Sequence, residues 1–125
     1  LCDRRQRQMC IRDGIYAMPV RVQPGDKPIV LSEFGGYAYK VPGHSFNPYA
    51  TYSYSLYPTQ EAFRRALEDL YRKEVLPARD NGLCAAIYTQ LSDVEDEVNG
   101  LVTYDRALCK ADEARMREIA ELLQF

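Results

Sequence analysis

Glu33 stands two residues beyond the apolar run Ile29-Val30-Leu31 and is followed at once by Phe34, Gly35 and Gly36. A continuous β-favouring run of this kind predicts a strand buried on both faces of a parallel sheet, with the two glycines turning the chain sharply at its end. The carboxylate then arrives at the C-terminal tip of a strand, where ligands and catalytic groups collect in α/β folds. One charge in that place suits acid–base or nucleophilic work on a sugar, since retaining glycosidases use two carboxyl groups about 5–5.5 Å apart, one as nucleophile and one as acid/base. A surface or salt-bridged glutamate just past a strand fits the same spacing, and the residues alone leave both readings open.

Other residue groups are weaker pointers. The run Asp93-Val94-Glu95-Asp96-Glu97 with Asn99-Gly100 has alternating carboxylates, but an EF-hand loop needs glycine at its sixth position, here Val98, and glutamate at its twelfth, here Tyr104. A solvated loop with capping or salt-bridge roles is the expectation, and no metal is called for. Residues 37–57 read as a long loop carrying Tyr37, Tyr39, Tyr49, Tyr52, Tyr54 and Tyr57 together with His44, the single histidine, and Asn47. Long aperiodic loops in compact domains are commonly functional, and aromatic faces suit the C–H faces of sugars, although tyrosines also pack against scaffold. Cys2, Cys10, Cys84 and Cys109 contain no C-x-x-C pair, so zinc and redox motifs are unsupported. Cys84, inside Leu83–Tyr88, is expected in the core, and a Cys2–Cys10 disulfide is conceivable only in an oxidising compartment.

These groups need elements to hold them. Past the glycines, the periodicity becomes helical at Thr59, the expected N-cap, with Phe63, Ala66, Leu67 and Leu70 on one face. The other face pairs Arg64/Glu68, Arg65/Asp69 and Asp69/Lys73 at i,i+4 and reads as solvated. Pro77 should end or kink this helix, and Asn81-Gly82 supply its stop. Residues 83–91 predict a second buried strand. A closing helix from about Asp112 places Met116, Ile119, Ala120 and Leu123 together. The order strand, helix, strand, helix is a βαβα unit with a parallel pair, a right-handed crossover and both strand tips on one side. Upstream, Ile15–Val22 allows a short strand interrupted by Pro19, and residues 1–14 form an arginine-rich arm diluted by Asp3 and Asp13.

Composition sets the outer bounds. The 125 residues, 46% hydrophobic and 27% charged, have the profile of one globular domain. A net charge of −2 argues against a nucleic-acid binder built on the basic arm, and no apolar run approaches the roughly 18 residues of a membrane span.

Two stretches together resemble a known family. Pro28-Ile29-Val30-Leu31-Ser32-Glu33-Phe34-Gly35-Gly36, followed by Gly82 to Leu101 and then Thr103-Tyr104-Asp105-Arg106, is similar to the C-terminal end of the catalytic barrel of glycoside hydrolase family 2, the β-galactosidase, β-glucuronidase and β-mannosidase group. The resemblance runs from about Asp26 to Leu123. It implies an α/β fold that is part of a (β/α)8 TIM barrel, the last two to three strands with their helices, in which 83–91 is the eighth strand. Residues 1–25 would be an N-terminal arm with room for a sixth-strand remnant, and 26–125 the C-terminal portion of the barrel.

In that family the glutamate of this motif is the nucleophile, a role Glu33 would inherit, while Tyr37, Tyr39, His44, Asn47, Tyr88, Gln90 and Asp93 would flank the sugar. The family's acid/base, in an Asn-Glu pair ending the fourth strand, would lie far upstream; no Asn-Glu dipeptide occurs in this sequence. Relatives often carry a tryptophan at the tip of the eighth strand, and this chain has none. The resemblance therefore implies a fragment of a β-glycoside hydrolase, inactive alone, needing no cofactor, with the rest of the barrel as its partner and an open edge that invites self-association. The rival is a non-catalytic carbohydrate-binding or interaction module that reuses the βαβα unit.

Overall fold

The structure, a computed structural model, describes residues 28–124. The arm at 1–14, the strand over 15–22 and the Cys2–Cys10 pairing lie outside the described residues. Within them the chain is a small mixed α/β unit. Strand β1 (Ile29–Gly35) leads into the two-residue strand β2 (Tyr37–Ala38), and β3 (Ser55–Leu56) precedes helix α1 (Gln60–Leu70). A π-helical turn (Tyr71–Val75) joins α1 to α2 (Leu76–Asp80); strand β4 (Leu83–Thr89) and helix α3 (Glu113–Leu122) complete the order. As the apolar pattern predicts, β1 and β4 pair in parallel; β2 and β3 form a second short parallel pair.

Helix α1 begins where Thr59 accepts the Ala62 amide on its side chain, and its buried residues Phe63, Leu67 and Leu70 keep the i, i+4, i+7 spacing of one face. Pro77 does not end the helical run. It lacks an amide proton and its ring crowds the carbonyl four residues earlier, and the turn just before it widens, with the Leu76 amide reaching Tyr71 five residues back. The run stops at Gly82, whose φ of 102° is the left-handed conformation expected of a glycine there. Helix α3 is capped by Asp112, which accepts the Arg115 amide; Ile119 is buried and Met116 and Leu123 pack on the core, whereas Ala120 is exposed. Of the expected surface pairs, Lys73–Asp69 is present, but Arg65 turns back to Glu61, Arg72 takes Glu68, and Arg64 reaches the Lys110 carbonyl instead.

The sheet departs from expectation in an informative way. The described residues bury one face of the β1/β4 pair: Leu31, Phe34 and Leu83 join Phe63, Leu67, Leu70, Val75, Ala78 and Ala111 in the core, while on the other side Val30 is 49% and Ile87 58% exposed. Cys84 and Ala85 are exposed as well, and Leu91 lies beyond the end of β4 at 74% exposure. Apolar types on both faces of the run predict double burial; the described helices cover one face.

The register explains how Leu31 and Phe34, three residues apart, share a face. Leu31 pairs with Ala86 and Phe34 with Tyr88, so Ser32 and Glu33 together oppose Ile87 alone. This is a β-bulge, and the extra residue rephases the alternation. A compensating irregularity in β4 lies at Cys84, between the Ile29–Leu83 and Val30–Ala85 pairs.

Residues 37–57 are a braced excursion more than a free loop. Tyr39 donates its amide to Val98, Tyr52 to Asp96 and Tyr57 to Ala38. The segment from Gln90 to Lys110 is likewise held by backbone bonds between Leu101 and Gln90, Asp93 and Val102, and Lys110 and Leu101. Gly100 packs against this ladder so closely that an added Cβ would meet the Asp93 amide nitrogen at 2.2 Å and the Ser92 carbonyl carbon at 2.3 Å. Gly43 has nothing within 4 Å but a φ of +80°. Chemical denaturation should therefore show Gly100→Ala losing about 2 kcal/mol or more through backbone displacement, and Gly43→Ala losing about 1 kcal/mol from its dihedral alone.

Candidate functional site

The parallel pairing puts the C-terminal ends of β1 and β4 side by side. Gly35 pairs with Thr89, and the Gly36 amide donates to the Thr89 carbonyl at 3.0 Å. Gly35 is required here on two counts: its φ is +94°, and a Cβ would strike the Tyr88 ring at 2.3 Å. Tyr88 meets Phe34 edge-on and lies near-parallel to Tyr71, so the three rings form an aromatic layer that packs on the core and reaches Gly35. The Tyr71 hydroxyl, buried in that layer, is pushed up to about 12 and stays protonated.

Glu33 sits in the bulge directly before this tip, half-buried. Among the described residues no hydrogen bond or ion pair engages its carboxylate. A bulge re-aims a side chain out of the regular alternation, and a carboxylate held there without a protein partner is available to a ligand.

Gln90, one residue beyond β4, donates its side-chain amide to Glu97 at 3.0 Å and to Asn99 at 2.9 Å, binding the acidic turn to the strand end. Tyr88 and Gln90 are thus the predicted site residues that the structure brings to the tip with Glu33. The others serve the framework. Tyr37 is buried and packs edge-on against Tyr57, to which it is also hydrogen-bonded. Tyr39 is half-buried beside Phe63. Asn47 accepts the amides of Tyr49 and Ala50 on its side-chain oxygen, folding the loop on itself. His44 contacts Asp105 at 2.7 Å, fastening the same loop to the turn at 103–108.

Asp93 takes the salt-bridge role expected of the acidic loop, but inside the fold and not in solvent. Its carboxylate accepts Lys110 Nζ at 2.6 Å and the Gly100 amide at 2.8 Å, and the ion pair is closed to solvent, with side-chain exposures of 0% for Lys110 and 2% for Asp93. Lys110 also donates to the carbonyls of Val98 at 2.9 Å and Tyr39 at 3.0 Å, which uses all three ammonium protons. Its own carbonyl accepts from Gln60 and Arg64 of α1. Burial pushes the Asp93 carboxyl up and the Lys110 ammonium down, while their mutual contact opposes both shifts. Lys110 escaped sequence reasoning because one lysine between Cys109 and Ala111 carries no motif; its only signal is a charge set among small and apolar residues before a helix cap.

Two tests address this framework. Lys110→Met leaves a carboxylate buried without its cation and should cost about 3–5 kcal/mol, whereas Lys110→Met combined with Asp93→Leu should recover at least half of that loss in urea titrations. The second concerns Asp105, whose carboxyl is held at about 2, below its ordinary 3.8, by the Thr103 hydroxyl first, then the Ala107 amide and His44. A carboxyl depressed by folding stabilises the fold above its unfolded value and loses that contribution as pH falls. The denaturation midpoint of the wild type should therefore drop more steeply between pH 4 and pH 2 than that of Asp105→Asn. No protein-family model matches the chain, and no curated protein matches it in sequence.

Proposed function

We propose that this chain carries the catalytic nucleophile, Glu33, of a retaining β-glycoside hydrolase, within the closing portion of a (β/α)8 barrel. The observation that carries the reading is a carboxylate without a partner among the described residues, set in a bulge near the C-terminal end of a parallel strand. Two further features support it: the paired strand ends lie side by side, and one sheet face is open, as the barrel-facing side of two strands would be without the others. The resemblance of residues 28–36 and 82–106 to glycoside hydrolase family 2 gives the role its name.

In this reading a Glu33 oxygen attacks the anomeric carbon as the glycosidic bond breaks, and a second carboxylic acid protonates the departing oxygen. Water, deprotonated by that same group, then attacks the anomeric carbon and releases Glu33. The resemblance implies that the acid/base lies upstream, in a part of the barrel outside this chain; near the tip, Asp93 is sealed by Lys110 and Glu97 accepts from Gln90. By itself the chain binds or positions a glycoside without turning it over.

The test is turnover of a panel of p-nitrophenyl β-glycosides by this chain and by the chain extended upstream to eight strands. Only the extended form should be active, and Glu33→Gln should lower its kcat by on the order of 10³-fold or more while leaving the fold intact. Activity that survives Glu33→Gln would overturn the assignment. Sugar binding without turnover in the extended form would replace it with a non-catalytic carbohydrate-binding module.

A further inference from the structure

An aromatic pair lies next to the tip without entering the core. Tyr52 and Tyr54 are 56% and 46% exposed, and their rings meet at 6.0 Å with an interplanar angle of 69°. Tyr54 is seated on the turn that follows Glu33: a Cβ on Gly36 would meet its ring at 3.0 Å. Tyr52 is fixed by its backbone, whose amide donates to the Asp96 carbonyl at 2.7 Å and which bridges to Glu97. Glu97 is in turn the carboxylate to which Gln90 donates. Exposed ring faces therefore stand beside an amide–carboxylate pair at the same end of the sheet.

Pairs of this composition match the two surfaces of a sugar. The C–H face of a pyranose packs on an aromatic ring, and its hydroxyl rim requires donors and acceptors at the edge of the same surface. Pre-organisation favours binding as well. The loop carrying the tyrosines is tied down by Lys40 Nζ to the Ala50 carbonyl at 2.7 Å and by Asn47 to the Tyr49 and Ala50 amides, so little ordering is left for a ligand to impose.

We propose that Tyr52 and Tyr54 form a sugar-stacking platform beside the Glu33 tip, that the side-chain oxygens of Gln90 and Glu97 accept from sugar hydroxyls at its edge, the Gln90 amide protons being taken by Glu97 and Asn99, and that the platform receives a second ring of a β-linked oligosaccharide. The inference rests on the reading of Glu33 as a glycosidase nucleophile, and it specifies a β-linked oligosaccharide as the preferred ligand.

Saturation-transfer NMR on this chain, titrated with lactose, cellobiose and β-1,4-mannobiose beside methyl β-glucoside, tests it. At least one disaccharide should bind more tightly than the monosaccharide, with transfer to the C–H protons of one ring face. Tyr52→Ala and Tyr54→Ala should each weaken that binding by about fivefold, while Tyr52→Phe and Tyr54→Phe, which keep the ring, should retain it. Because both tyrosines are exposed, unchanged circular dichroism would confirm that the alanine variants still fold. Disaccharide binding that the alanine variants preserve would overturn the platform, as would the absence of any preference for a disaccharide. Neither result bears on the nucleophile, which turnover by the extended Glu33→Gln enzyme decides separately.

Discussion

Lys110 is the point through which the long segments of this chain are tied. A buried ammonium is tolerable only when its charge is neutralised and each proton has an acceptor, and those acceptors come from three separate places: the residue after the β2 strand, the acidic turn and the segment leaving β4. The same residue's carbonyl receives α1 through Gln60 and Arg64, and its Nζ lies 5.9 Å from the centre of the Phe63 ring in the middle of the core. One side chain thus couples the apolar core to the irregular segments at the strand tips. A hydrophobic residue could fill that volume, but it could not satisfy the carbonyls of Tyr39 and Val98, and the loops would lose their common reference.

The glycine turn, the bulge and the aromatic layer depend on one another in a similar way. Gly35 leaves room for the Tyr88 ring, which packs on Phe34, and Phe34 faces the core only because Ser32 and Glu33 share one place in the ladder. The wide turn at Tyr71–Val75 belongs to the same assembly, since it precedes Pro77 and carries Tyr71, whose ring lies edge-on to Phe34. Local backbone irregularities in the strand and in the helix therefore converge on one aromatic cluster next to the bulge.

Much of this was legible from residue types. The Thr59 cap, the start of α3 near Asp112, the Gly82 stop, the α1 face and the parallel pair follow from local chemistry and hydrophobic period, which act over a few residues. Glu33 near the end of β1 was legible for the same reason, although the strand runs two residues further, to Gly35. What was not legible depends on partners distant in sequence. Asp93 looked like one more exposed acid because nothing near it announces a lysine seventeen positions on. Tyr37 and Tyr39 looked like their neighbours Tyr52 and Tyr54, yet the first pair packs inward and the second stays outside, a division set by β2 and its partner strand rather than by composition. Cys84 and Ile87 carried the signature of a core strand but lie on the face the helices leave uncovered.

The bulge also separates chemistry from architecture. Because Ser32 and Glu33 stand against a single residue of β4, neither is counted in the ladder, and the cross-strand pairs on either side are made by Leu31 and Phe34. The reactive group is carried at a position whose identity the strand pairing does not read. A chain built this way can exchange the functional group at the tip while keeping the same fold, so the scaffold and the chemistry are free to diverge at different rates.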